Sequence, residues 1–170
     1  FVFPEELAGL AAAVQEKALF SSHGIPLFIS MDMEGGAAAP LHYMMGATPT
    51  PGNMALGASG REEDVYAAYN IMGREMRRCG ANVNYAPAID VLRNPANPDY
   101  TVRLFSGSFD INGRMARGAV RGLQDAGVAA CCKHFPGLAF FDVDTHHAAP
   151  HIQLEEKALR RRCSACRGSG

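Results

Sequence analysis

Three short apolar runs limit what this chain can fold into. Residues 27–31, 82–86 and 128–132 each follow a segment of helical periodicity, at residues 4–20, 62–79 and 110–126. Glycine punctuates the joins. Gly24 and Pro26 break the first helix, while Gly80 and Gly127 stand where the second and third need a left-handed closing residue. Strands that alternate with helices pair in parallel, through right-handed crossovers. The run Leu27-Phe28-Ile29-Ser30-Met31 is nearly continuous in apolar residues, the pattern of a parallel strand covered on both faces. The turns after helices are short, whereas residues 32–59 and 87–108, which follow strands, are long and rich in turn-forming residues. That asymmetry places function on one face, as in (β/α) barrels. The expected fold class is α/β, part of a TIM-type (β/α) barrel with parallel strands alternating with helices.

Within the first helical segment Leu7, Leu10, Ala11, Val14 and Ala18 form an apolar stripe, and Asp110 is placed to cap the third helix. With 170 residues, 48% hydrophobic and 19% charged, the chain has enough apolar material for one domain with a sizeable core. Its net charge of −1 favours neither nucleic acid nor an anionic membrane surface as partner. No apolar run approaches the roughly 20 residues of a membrane span. Five cysteines make an odd count. Cys131 and Cys132 lie in an expected buried strand and Cys79 near a helix end, so all three read as packed thiols. That pattern favours a reducing, cytoplasmic compartment. The first residue is Phe, so a signal peptide is not addressed by the sequence.

The third strand delivers Lys133-His134-Phe135-Pro136-Gly137 at its carboxyl end, and Asp144-Thr145-His146 follows seven residues later. A charged Lys at the end of an apolar strand needs partners. An Asp two residues from a His can orient the imidazole and support its charged form, which lets the His give and take a proton near its ordinary pKa of roughly 6.5. A solvated loop His beside a chance Asp is the plainer alternative on spacing alone.

These residues resemble the N-terminal barrel of glycoside hydrolase family 3, and most closely its bacterial β-N-acetylglucosaminidase branch, which carries Lys-His-Phe-Pro-Gly-His-Gly, four variable residues, then Asp-Ser/Thr-His. Three further stretches are similar and collinear: Asp32-Met33-Glu34-Gly35-Gly36 at the end of the first strand, Pro51-Gly52-Asn53-Met54-Ala55-Leu56-Gly57, and Asn82-Val83-Asn84-Tyr85-Ala86-Pro87 with Asp90-Val91 and Asn94-Pro95-Ala96-Asn97-Pro98. The resemblance covers residues 5–150. It implies a retaining hydrolase of terminal β-linked N-acetylglucosamine, with His146 as acid/base and Asp144 as its partner. It implies that Asp32, Arg103, Lys133 and His134 bind sugar hydroxyls. Two of these have a structural alternative: Asp32 as a helix-capping or loop-bracing residue, Lys133 as the partner of a barrel carboxylate. Asp90 and Glu34 stand equally as sugar contacts or as acceptors that brace loops. No metal or organic cofactor is implied, and the expected partner is a carbohydrate, a glycan or muropeptide bearing β-GlcNAc.

The chain also departs from the family pattern. Leu138-Ala139 stand where the family has His-Gly, Phe140-Phe141 where it has Asp-Thr, and Ala37 where an Arg follows Gly-Gly. The family's nucleophile is an Asp at a later strand end, and no Asp occurs after Pro150. Residues 1–150 are therefore expected to form the partial barrel domain, and residues 151–170 an off-pattern basic tail. In that tail Cys163-Ser164-Ala165-Cys166 lacks the second pair or the His that a zinc site needs. Two other readings remain: a truncated, non-catalytic barrel fragment, and a β-glucosidase-type member of the same family. Unpaired first and last strands would also expose edges for self-association.

Overall fold

The computed structural model describes residues 3–41, 46–93, 95, 100–135, 137–138, 156 and 160. Four helices and three strands follow in the order α1 (Pro4–Ser21), β1 (Ser30–Met31), α2 (Asn53–Ser59), α3 (Glu62–Arg78), β2 (Val83–Asn84), α4 (Phe109–Asp125) and β3 (Ala129–Ala130). The strands form one sheet in the order β1-β2-β3, parallel throughout, with Ser30 opposite Val83 and Val83 opposite Ala129. The expected alternation and parallel pairing are present.

Local sequence accounts for the helix ends. Pro4 occupies the first position of α1, where a missing N–H costs nothing, and Glu6 accepts the Phe3 N–H from inside the first turn. α3 closes on Gly80 (φ 85°), with Gly80 N–H donating to Arg77 O and Ala81 N–H to Met76 O. α4 closes identically on Gly127 (φ 78°), with donations to Gln124 O from Gly127 and to Leu123 O from Val128. Both are Schellman closures, and each turns the chain directly into the next strand. Ser108, not Asp110, caps α4: its Oγ accepts the Ile111 N–H, and Asp110 lies inside the first turn. α2 falls within residues 32–59, expected to be loop. Its seven residues carry two small side chains for every large one, too little periodicity to read.

Two asparagines lengthen the sheet beyond its short ladders. Asn82 Oδ1 accepts the Ile29 N–H and its Nδ2 donates to Leu27 O, at 2.8 and 3.0 Å. Asn84, fully buried, does the same at Met33, accepting its N–H at 2.9 Å and donating to its carbonyl at 2.8 Å. Side-chain amides thus continue β1 to the residue between Asp32 and Glu34. On the other side, the ladder between β2 and β3 runs on through Lys133 N–H to Pro87 O and Ile89 N–H to Lys133 O.

The core lies between the sheet and α3 and α4, around Met33, Val65, Tyr69, Met72, Met76, Met115 and Leu123. α4 approaches α3 closely because Gly118 and Gly122 face it. A Cβ on Gly122 would sit 2.5 Å from Tyr66 O. The expectation of a first strand covered on both faces is not met: Leu27 is 41% and Phe28 87% exposed. Among the described residues β1 has one strand neighbour, β2, and the Gln15 amide of α1 exchanges two 2.8 Å hydrogen bonds with the Leu27 backbone ahead of it. The α1 stripe is likewise split: Ala11 and Ala18 are buried and Leu7 packs on the core, while Leu10 and Val14 remain exposed. Of the cysteines, Cys79 is buried as expected, but Cys131 is exposed and Cys132 half-buried, because one face of β3 is uncovered. No helix among the described residues is long and apolar enough to cross a membrane.

Candidate active site

The carboxyl ends of all three strands meet in one charged network. β1 delivers Asp32 and Glu34, and β3 delivers Lys133. Lys133 Nζ lies 2.5 Å from Asp32 Oδ1 and 2.6 Å from Glu34 Oε1. Arg103, from the segment after β2, forks onto the same Glu34: Nε to Oε2 at 2.9 Å and Nη2 to Oε1 at 2.7 Å. One buried carboxylate therefore holds two cations. Burial would raise the Glu34 pKa, but the hydrogen bonds from Arg103 and Lys133 outweigh it and hold the carboxyl below its ordinary range. Glu34 in turn keeps Arg103 more firmly protonated than usual.

Exposure sorts these groups by role. Glu34 and Lys133 side chains are 2% and 15% exposed, whereas Asp32 is 60% exposed. Asp32 and the rim of Lys133 are thus the parts an incoming polar ligand can reach. The structural alternative for Lys133, pairing with barrel carboxylates, describes its contacts here, and the same contacts aim an ammonium and a carboxylate at one place.

A second dyad lies beside the first. Asp90 Oδ2 accepts the His134 backbone N–H at 3.0 Å and faces His134 Nδ1 at 2.8 Å, while Asp90 Oδ1 accepts the Leu138 N–H at 2.5 Å. Burial would raise the Asp90 pKa, but the His134 and Leu138 hydrogen bonds prevail and lower it. Tyr100 joins the two clusters: its ring meets His134 edge-on at 5.2 Å and carries the Arg103 guanidinium at 5.2 Å. Beneath the site, Tyr69 donates to Asn53 Oδ1 at 2.8 Å, and Asn53 Nδ2 donates to Arg103 O at 2.8 Å, so α3 supports the Arg103 backbone through a buried relay.

Of the residues singled out from sequence, Asp32, Arg103, Lys133 and His134 come together. His146 and Asp144 lie outside the described residues. Tyr100 was missed; an aromatic three residues before Arg103 was the available signal. Glu34 and Asp90 were left open, although a lone acid within Ala88-Ile89-Asp90-Val91 already required buried donors. Among the described residues no cluster of three His, Cys, Asp or Glu is arranged to hold a metal ion.

Parallel strands with their charged side chains collected at the carboxyl ends define part of a TIM-type (β/α)-barrel domain. Residues 3–165 match the glycosyl hydrolase family 3 N terminal domain. A solved glycoside hydrolase family 3 β-N-acetylglucosaminidase from Paenibacillus sp. str. FPU-7 superposes with a TM-score of 0.91 and 43% identity, over 98% of this chain and 31% of that one. A beta-hexosaminidase A of Pseudoalteromonas piscicida is 35% identical over 92% of this chain. A beta-N-acetylglucosaminidase/beta-glucosidase of Cellulomonas fimi is 36% identical over 79% of it. The chain belongs to glycoside hydrolase family 3. It spans 26% and 23% of the lengths of the last two relatives.

Proposed function

We propose that this chain supplies the sugar-binding and acid/base portion of a retaining β-N-acetylglucosaminidase acting on a carbohydrate substrate with a terminal β-linked N-acetylglucosamine. The observation that carries the proposal is the convergence of Asp32, Lys133, Arg103 and His134 at the strand ends. Vicinal sugar hydroxyls both donate and accept, and Asp32 beside Lys133 offers an acceptor and a donor 2.5 Å apart. The similarity to enzymes named for N-acetylglucosamine and hexosamine hydrolysis supports the sugar class.

In this reading His146, partnered by Asp144, protonates the glycosidic oxygen as the bond breaks, then takes a proton from the water that releases the sugar. Double displacement also needs a carboxylate nucleophile on the opposite face of the sugar, and residues 1–170 show no Asp at the family's position for it. The three thiols outside any disulfide, Cys79, Cys131 and Cys132, support a reducing, cytoplasmic compartment. The half-covered sheet supports self-association of the isolated chain.

The test joins residues 1–150 to the C-terminal half of the Paenibacillus enzyme's barrel and assays aryl β-N-acetylglucosaminides of differing leaving-group pKa. His146→Ala is expected to slow turnover on the order of 10²-fold or more for poor leaving groups, and least for good ones in the first step. An unchanged rate across the series would reject the assignment. The Cellulomonas relative's double name keeps a β-glucoside as the second substrate, and the same hybrid assayed on aryl β-glucosides separates the two.

A further inference from the structure

We propose that Asp90 is the positioning residue of His134, fixing both the orientation of its imidazole and the nitrogen that carries the hydrogen. The inference rests on the reading of His134 as a sugar contact only for its functional consequence; the hold itself is read from geometry. The Asp90 side chain is wholly buried, so no ligand reaches it. Its two oxygens are engaged by the His134 N–H, the His134 ring and the Leu138 N–H, at 3.0, 2.8 and 2.5 Å.

A carboxylate held ionised by such donors is an acceptor only. Nδ1 must therefore be the donor, whatever the charge of the ring, and Nε2 is the nitrogen left for a ligand. One further contact limits the freedom of the ring, on a wall that Leu138 helps to pack. Tyr100 stands edge-on at 73°, and Leu138, the residue replacing a polar one in the family pattern, packs with Ala88, Tyr100 and Leu104. Asp90 is itself braced from α4: buried Asn112 donates to Asp90 O at 2.7 Å and to Ile89 O at 3.4 Å, and its Oδ1 accepts from Ser106 Oγ. The Ile89 N–H grips Lys133 O at 2.7 Å. Residues 89–90 thus hold Lys133 and His134 as one unit before any ligand arrives, which removes the entropic cost of ordering them on binding.

The test is long-range 1H–15N NMR on the full 170-residue chain labelled at histidine, with His134→Ala for assignment. The wild type is expected to carry its His134 hydrogen on Nδ1; a neutral ring protonated on Nε2 would overturn the proposal without any Asp90 variant. In Asp90→Ala no acceptor faces Nδ1, so the preference for the Nδ1 hydrogen should be lost, and an unchanged preference in a folded variant would overturn it too. Titration with N-acetylglucosamine gives the functional arm. Asp90→Ala should weaken binding on the order of tenfold, the weight of one hydrogen bond, and should do nothing further in a His134→Ala background. An additive loss in that double variant would assign Asp90 a general structural role and reject the proposal. If the sugar leaves His134 unperturbed while Nδ1 stays protonated, the sugar reading fails and the hold of Asp90 on the ring stands.

Discussion

Glu34 satisfies two cations with one carboxylate, and that economy makes it vulnerable. Glu34→Gln keeps the volume but takes the shared carboxylate charge away from Arg103 and Lys133, so a loss of about 3 kcal/mol is expected by urea denaturation. Acid should act in the same direction. Glu34 and Asp90 are both held below their ordinary values of 4.5 and 3.8, so the unfolded chain takes up protons before the folded one does. Their contribution is complete above those ordinary values and is lost as pH falls through the lowered ones. Urea midpoints should therefore hold steady down to about pH 5 and fall below it, and Glu34→Gln should flatten that fall. Tyr69→Phe removes the donor to buried Asn53, and a cost of about 1–2 kcal/mol is expected by thermal unfolding.

At the scale of elements, the site depends on how β1 is tied to β2 and how α4 meets α3. Asn84 closes both backbone groups of Met33, the residue between Asp32 and Glu34. Asn84→Ala would orphan a buried N–H and C=O together, at about 2–4 kcal/mol, and would loosen the spacing of the two acids. In the hybrid enzyme that second effect should appear as a raised KM beyond the change in stability. Gly122→Ala drives a methyl against the Tyr66 carbonyl at 2.5 Å, where both atoms belong to helix frameworks. Overpacking of this kind costs about 1–3 kcal/mol, and calorimetry should show it as a lowered Tm. Gly113, on the open side of α4 with nothing within 4 Å, should accept Ala and gain slightly in helix propensity.

For the whole molecule, the uncovered side of the sheet sets the solution behaviour. Ile25, Leu27 and Phe28 are 65%, 41% and 87% exposed, and Leu10, Val14 and Phe20 of α1 are exposed as well. β1 and β3 each have one strand neighbour among the described residues. Apolar area of this kind and free strand edges favour association. Light scattering of the 170-residue chain should show mass rising with concentration, and Phe28→Lys should reduce it. A monodisperse monomer at all concentrations would contradict this.

What the sequence determined by itself is what depends on neighbours along the chain. Helix periods, the Schellman glycines Gly80 and Gly127, and the placement of Asp32, Lys133 and His134 at strand ends all follow from spacings of a few residues. Even locally the expected cap, Asp110, gave way to Ser108, because both have the right chemistry and only the helix start decides. The tertiary structure decided which charges meet. Lys133 and Asp32 are 101 residues apart, and their pairing exists because parallel register aligns β1, β2 and β3 at the same height. The same register turns Glu34 into a shared counter-ion, buries Asp90 behind His134 and brings Tyr100 between the two clusters. None of these is encoded in a local pattern, since a carboxylate's role depends on which donors the fold carries to it and on how much water it leaves there.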